Sequence, residues 1–551
     1  MYIFEKAITN IKNAIKNVLK DYDVKDFDVE IPSDEKHGDL SSNVALLSAR
    51  ILKMAPIKIA QMITSNIGEV EYVEKIEIAG PGFINFFLSK NYFVDALKEI
   101  EKYGKTYGNN SSGKNKKIMI EFVSANPTGP MHMGNARLGA LGDCLAEVLK
   151  ASGYDVFKEF YVNDAGNQIE KFGMSLDVRY RQIIKGENAV QMPENGYQGD
   201  DIKELAQEFF EINGDKYINA QESERTKALV DYALPKNIKR MQTDMEKYKI
   251  IYDNWFYESK LHSEGKVAQV IDIMKEKGIT YEKDGSLWYK ATDFGSEKDE
   301  VLVRKNGIPT YFAADIAYHY NKFVTRGFDI CIDIWGADHH GHVERMKGAM
   351  EALGIDRNRL HVILVQLVRL IKDGEPVRMS KRSGKSVQLS DLLDEVGTDS
   401  ARFIFNTHEA SSGMDFDLDL AIAKDFQNPV YYVQYAYARI CSIFRGAKDK
   451  NFDLETADLS LLTHETERKL ISFLTTYPSE VLRAANSYDS TKITRFVITL
   501  AGLFHKFYSA CRVVTEDEDL SKARLYLCDC VRIMIKNILD MMKVSAPESM
   551  E

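Results

Sequence analysis

Residues 116–153 read KKIMIEFVSANPTGPMHMGNARLGALGDCLAEVLKASG. The opening run is apolar and β-branched, the middle is rich in Pro and Gly, and the remainder has helical periodicity with Gly153 as its stop. The stretch therefore predicts strand, tight loop and helix. That is the first unit of a doubly wound, nucleotide-binding sheet. Its ligands sit beyond the carboxyl ends of the strands, where the first helix aims unpaired N–H groups and the positive end of its dipole, so an anion is expected there. Gly129 and Gly134 have the spacing of a P-loop, but Asn135 and Ala136 follow where a P-loop requires Lys and then Ser or Thr. A dinucleotide fingerprint fails too, because the loop lacks a closely spaced Gly-x-Gly.

What remains is His132-Met133-Gly134-Asn135 at the helix entrance, with Pro127, Gly129 and Pro130 fixing the approach. These residues resemble the HIGH signature of class I aminoacyl-tRNA synthetases, and the longer string EFVSANPTGPMH over residues 121–132 is similar to the arginyl-tRNA synthetase family in particular. The resemblance implies that Pro130, His132, Gly134 and Asn135 bind ATP, with the His132 imidazole donating to phosphate oxygens. Asn135 stands where the family usually has His, and an amide donates a hydrogen bond without carrying charge.

A second signature lies at residues 373–385, DGEPVRMSKRSGK, where Arg378, Lys381, Arg382 and Lys385 fall on one Gly- and Ser-containing loop. A flexible cationic loop can close over charge that develops during reaction, whereas standing alone it would read as a solvated basic turn. Arg378 to Lys381 resemble the KMSKS loop, with Arg for the first Lys, which implies ATP contacts from Met379, Ser380 and Lys381. His132 and Lys381 would then stabilise charge in catalysis. The strand expected at residues 330–335 ends in Gly336-Ala337-Asp338-His339-His340-Gly341-His342. Neither a Cys partner nor a His-Glu-x-x-His helix accompanies these histidines, so no metal site is assigned. The Gly-x-Asp-x-x-x-His pattern resembles the class I element that holds adenosine and substrate, implying ATP contacts from Gly336 and His342.

At 551 residues the chain is too long for one core. Apolar content of 44% and charged content of 28% are ordinary for a globular protein. No run is apolar and long enough to span a bilayer and no signal peptide opens the chain, so a cytoplasmic protein with no membrane partner is expected. Six cysteines are scattered without a Cys-x-x-Cys pair, which supports neither disulfides nor a cysteine zinc site. A net charge of −10 argues against an all-over electrostatic grip on nucleic acid, leaving local basic and aromatic patches as the means of RNA contact.

Three domains are expected: an α+β N-terminal domain over residues 1–112, an α/β Rossmann-type catalytic domain over 113–424, and an all-α domain over 425–551. In the first, His37 and Asp39 read as a turn held by side-chain hydrogen bonds. In the second, Asn167 and Gln168 are either crevice contacts or part of a helix start capped by Asn163 or Asp164. Residues 192–283 read as a helical insertion, after which the sheet resumes at residues 288–289 and 301–304. In the third, Tyr435, Arg439, His505, Tyr508 and Arg512 are candidates for stacking on bases and pairing with phosphate, core packing being the other fate of such rings.

This order matches the arginyl-tRNA synthetase family: an extra domain contacting the outer corner of the tRNA, a catalytic domain, and an anticodon-binding helical domain. The resemblance implies ATP-dependent activation of L-arginine to arginyl-adenylate and its transfer to the 3′ end of tRNA(Arg), with Mg²⁺ accompanying ATP, in a monomer. The family's arginine contacts fall on Glu121, Asn126, Tyr311 and Asp315, and by position Asp338 is a fifth candidate. Two rivals are a nucleotidyltransferase adenylating a small metabolite and a catalytically dead RNA-binding paralogue. The flanking domains argue against the first, and retention of His132, Gly134, Ser380 and Lys381 argues against the second.

Overall fold

The computed structural model describes residues 1–377 and 387–550, so Arg378, Met379, Ser380 and Lys381 lie outside the described residues. The N-terminal part packs the helices Ile3–Val18, Val44–Leu52, Pro56–Asn66 and Lys90–Tyr103 around an antiparallel sheet. In that sheet Phe83–Leu88 pairs with Leu40–Ser42 on one side and Val73–Ala79 on the other. The Asp39 carboxylate accepts from the Leu88 backbone N–H at 2.7 Å, which fixes the turn containing His37.

Five parallel strands build the central sheet: β1 (Lys117–Phe122), β2 (Asp155–Val162), β3 (Asn254–Tyr257), β4 (Ile330–Gly336) and β5 (Leu360–Val365). Their order is β5-β4-β1-β2-β3. The chain moves outward from β1 to β3 and then returns to the other side of β1, so β1 and β4 flank the switch point where open α/β sheets bind ligands. Residues 118–122 are all buried, as the near-continuous apolar run predicts for a strand covered on both faces. The helix Met133–Ala151 seats closely on β1 because position 142 is glycine; a Cβ there would lie 2.4 Å from Phe122 Cγ.

Two expectations about this region are corrected. The helical insertion ends with the helix Glu222–Lys247, and within the expected 192–283 range residues 254–257 are β3, a full member of the central sheet. Four residues, Asn-Trp-Phe-Tyr, following a long charged helix carry too little periodicity to announce a strand. Residues 286–289 and 300–303 do not extend the central sheet; with Thr280–Lys283 they form a separate three-stranded antiparallel sheet. The helix Asn167–Lys185 and the insertion's helices Asp200–Asn213 and Glu222–Lys247 enclose a core around Phe172, Leu176, Tyr180 and Phe209.

Beyond residue 425 the chain is helical, with Pro429–Ala447, Glu465–Thr475, Tyr477–Ser487, Thr491–Ala510 and Glu518–Met541. The N-terminal domain docks on this bundle. Tyr92 donates to Thr475 Oγ1 at 2.8 Å, and the Asn537 amide donates to the Gly104 carbonyl at 2.8 Å. Among the described residues no helix is long and apolar enough to cross a membrane.

Candidate active site

The carboxyl end of β1 breaks sharply. Val123 and Ser124 have φ of 72° and 42°, a left-handed backbone that is costly for a β-branched residue and that clusters at functional sites. The loop then runs past exposed Asn126 and half-buried Pro130 to His132, the N-cap of the helix Met133–Ala151. Asn135 is buried, and its side-chain oxygen accepts from the His132 backbone N–H at 3.0 Å. The residue that departs from the family pattern thus acts as a reciprocal cap, a role an amide fills without charge. At position 134 a Cβ would lie 3.0 Å from the His132 ring, so glycine makes room for the imidazole.

The chain leaving the second signature returns to this loop. Met133 N–H donates to the Val387 carbonyl at 3.1 Å, and Leu389 N–H donates to the Met131 carbonyl at 2.9 Å. Although Met379, Ser380 and Lys381 lie outside the described residues, the segment that follows them is tied to both sides of His132.

Tyr311 and Asp315 occupy the first turns of the helix Tyr311–Tyr320, whose start is capped by the Thr310 hydroxyl. The Tyr311 hydroxyl accepts from Asn167 N–H at 2.6 Å, locking the start of the helix Asn167–Lys185 against that of the helix Tyr311–Tyr320. Asp164 instead holds the residues after β3, accepting from Ser259 N–H at 2.8 Å and from its hydroxyl at 2.6 Å. Asp315 Oδ2 lies 3.1 Å from His342 Nε2, so the structure brings together an expected arginine contact and an expected ATP contact. His342 in turn packs against Phe312 and Trp335. Gly336 ends β4, while Asp338 is exposed at the mouth, its side chain 84% accessible.

Sequence reasoning passed over Glu258, the first residue after β3. It is 4% exposed, its carboxylate lies 3.5 Å from His262 Nε2, and the Asn163 side-chain amide lies 3.0 Å from it. Burial pushes the Glu258 carboxyl up, and the charge of Asp315 adds to that push. Burial, with Glu258 and Asp315, also raises the Tyr161 hydroxyl. The available signal was position: an acid at the carboxyl end of a sheet strand, visible only once β3 is recognised.

Glu121 sits deeper than a crevice-facing residue. It is 6% exposed, and Lys322, itself wholly buried, donates to it at 2.6 Å and to Asp333 at 2.7 Å. The other Asp333 oxygen lies 2.6 Å from His319 Nε2. Among the described residues no group of three or more His, Cys, Asp or Glu is arranged to hold a metal ion.

In the helical domain four of the five RNA candidates meet. The Arg439 guanidinium lies 4.8 Å from the Tyr435 ring and 4.7 Å from that of Tyr508, and His505 packs 6.1 Å from Tyr435. Arg512 stands apart, exposed beyond the helix Thr491–Ala510, with its carbonyl accepting from Arg524. Phe426, not singled out from the sequence, is 57% exposed and packs on Tyr431, Tyr432, Tyr435 and His505. Burial pushes the His505 imidazole down, favouring the uncharged ring.

Three family descriptions match the chain in order: "Arginyl tRNA synthetase N terminal domain" over residues 5–88, "tRNA synthetases class I (R), catalytic domain" over 97–419, and "DALR anticodon binding domain" over 433–550. A protein named arginine–tRNA ligase from Caldanaerobacter subterraneus subsp. tengcongensis is 54% identical over 563 residues, covering 100% of both chains. One of the same name from Acetivibrio thermocellus is 51% identical, covering 100% of this chain and 98% of its own. Among solved structures, a putative arginyl-tRNA synthetase from Campylobacter jejuni matches with a TM-score of 0.77 at 36% identity, over 84% of this chain and 100% of that one.

Proposed function

The chain belongs to the class I arginyl-tRNA synthetase family, and from that premise we propose that it activates L-arginine with ATP and passes the arginyl group to the 3′ end of tRNA(Arg). The observation that supports the residue assignment is a pair of acids beyond the carboxyl ends of the strands, Asp315 beside His342 and buried Glu258, close enough that the charge of Asp315 raises the Glu258 carboxyl. A guanidinium is planar, permanently charged and five-fold donating, so carboxylates that are hard to leave unpaired select it. Asp315 and Glu258 take the guanidinium, Tyr311 flanks it, and Asn126 together with the Glu121 end of β1 orients the α-amino and carboxylate end. Asp338, exposed at the mouth, is a peripheral contact.

In the first step the arginine carboxylate attacks the α-phosphate of ATP, releasing pyrophosphate; in the second a terminal ribose hydroxyl of the tRNA displaces AMP. No covalent enzyme intermediate is formed, so catalysis rests on orientation and on charge stabilisation by His132 and Lys381. Pro130, Gly134, Gly336, His342, Met379 and Ser380 are the ATP contacts that the family pattern implies, and Asn135 contributes by capping the helix that meets the phosphates. Mg²⁺ would accompany ATP and supply positive charge at its phosphates. Tyr435, Arg439, His505, Tyr508 and Phe426 form the surface on which unstacked tRNA bases rest, with Arg512 a separate phosphate contact. The enzyme works as a monomer in the cytoplasm, where its substrates are.

Arginine-dependent exchange of pyrophosphate into ATP, run with and without tRNA, tests the reading. Exchange with arginine and none with lysine or citrulline is expected; exchange that ignores the amino acid overturns it.

A further inference from the structure

Lys322 lies in the wide turn Asn321–Thr325 that ends the helix Tyr311–Tyr320, and it is 0% exposed. A buried ammonium is costly unless its charge is answered. Here two acids answer it, and they are direct neighbours across the switch point: Glu121 on β1 pairs in register with Asp333 on β4. Without the ammonium two buried carboxylates would face each other.

The contact continues toward the pocket. Glu121 Oε1 accepts from the Ser124 hydroxyl at 2.9 Å, and the same hydroxyl accepts from Tyr161 N–H at 3.1 Å. Ser124 and Val123 are the two residues held in left-handed backbone, and the loop to Asn126 and His132 begins with them.

We propose that Lys322 is a positioning residue for arginine recognition: it keeps Glu121 a carboxylate beside Asp333, so that Glu121 pins Ser124 and with it the strained turn that sets Asn126 and the loop to His132. This rests on the pocket assigned above. The groups facing the pair are Asp333 and Cys331 on β4, Tyr318 and His319 on the helix, Tyr161 and Glu159 on β2, and Tyr252 just before β3; Glu159 is in register with Glu121 and is itself bound by Arg326. Burial pushes the Glu121 carboxyl up, and Lys322 is the strongest influence holding it down.

The test uses the full-length protein in arginine-dependent ATP–pyrophosphate exchange with tRNA present. In Lys322→Met the arginine KM should rise about 10-fold or more while the ATP KM stays within about 2-fold. Without its cation Glu121 holds a proton more readily, because burial and Asp333 both push its carboxyl up. The deficit in kcat/KM for arginine, relative to the unsubstituted enzyme, should therefore shrink as pH rises from about 6.5 to about 8.5. A merely structural role would lower kcat for both substrates alike and leave the pH profile unmoved, and that result overturns the proposal. Ser124→Ala keeps the ion network and should raise the arginine KM roughly 5- to 10-fold with no added pH dependence. A normal arginine KM in Ser124→Ala overturns the proposal whatever Lys322→Met does, and decides it alone if Lys322→Met does not fold. Failure of the pocket itself is distinct: Asp315→Asn would then bind arginine normally.

Discussion

Two buried charge clusters sit on the central sheet, and they are balanced in opposite ways. Asp143, on the helix that starts at His132, meets three cations: Arg402 at 2.6 Å, Lys158 at 2.9 Å and Lys543 at 2.9 Å. At the switch point a single ammonium, Lys322, serves Glu121 and Asp333, and the nearby pocket adds Glu258 and Asp315. The first cluster draws its cations from β2, from the helix Thr398–Phe405 and from the chain's end, so it stitches the helical domain to the catalytic helix with charge to spare. The second is short of cations. A closed structural cluster brings its own counter-charges, whereas a site made for a cationic substrate leaves acids for that substrate to answer.

Breaking the closed cluster should give the largest effect. Arg402 is 0% exposed and also donates to the Tyr248 and Met542 carbonyls, so Arg402→Met should cost about 3–5 kcal/mol in chemical denaturation. The arginine KM of the folded fraction should stay within about 2-fold. A large KM change with intact stability would erase the contrast between the clusters. Lys381→Ala tests the other side: stopped-flow adenylate formation should slow by about 100-fold with arginine affinity nearly unchanged, because the loop's contact strengthens only as charge builds on pyrophosphate. An unchanged rate removes that loop from the mechanism.

A third region, built of rings around the Arg439 guanidinium, sharpens the comparison further. Phe426→Ala should weaken tRNA binding by about 1–3 kcal/mol in a filter-binding titration, with no change in arginine KM. Unaltered tRNA affinity would mean that the aromatic patch is packing only. Acid sensitivity probes the closed cluster at its acid, Asp143. Burial alone would raise its carboxyl, but Arg402, Lys158 and Lys543 hold it at about 2, below the ordinary 3.8. A depressed carboxyl stabilises the fold above its unfolded value, and the contribution is lost as pH falls from 3.8 through about 2. Asp143→Asn should flatten stability against pH in that window, and an unaltered slope would assign acid unfolding elsewhere.

The sequence was most readable where local pattern and global role agree. β1, the loop and the helix at His132 follow from apolar runs, glycines and periodicity, whereas Tyr311 and Asp315 follow only from what the family resemblance implies. It was least readable where tertiary packing decides. β3 is four residues with no alternation; Lys322 looks like any lysine on a helix until its burial is seen; Glu258 gains meaning only from the strand before it. Asn135 could be read as a weakened phosphate contact, and only the fold reveals its oxygen capping His132.

The most direct test of the whole account compares arginine with citrulline, which keeps the shape and loses the charge, in the unsubstituted enzyme and in Asp315→Asn. Leaving Asp315 and Glu258 unanswered should cost several kcal/mol, so arginine should be preferred by roughly 10³-fold or more in exchange. Asp315→Asn should raise the arginine KM steeply and collapse that preference, with the ATP KM within about 2-fold. An Asp315→Asn enzyme that binds arginine normally, or that loses ATP instead, would contradict the account.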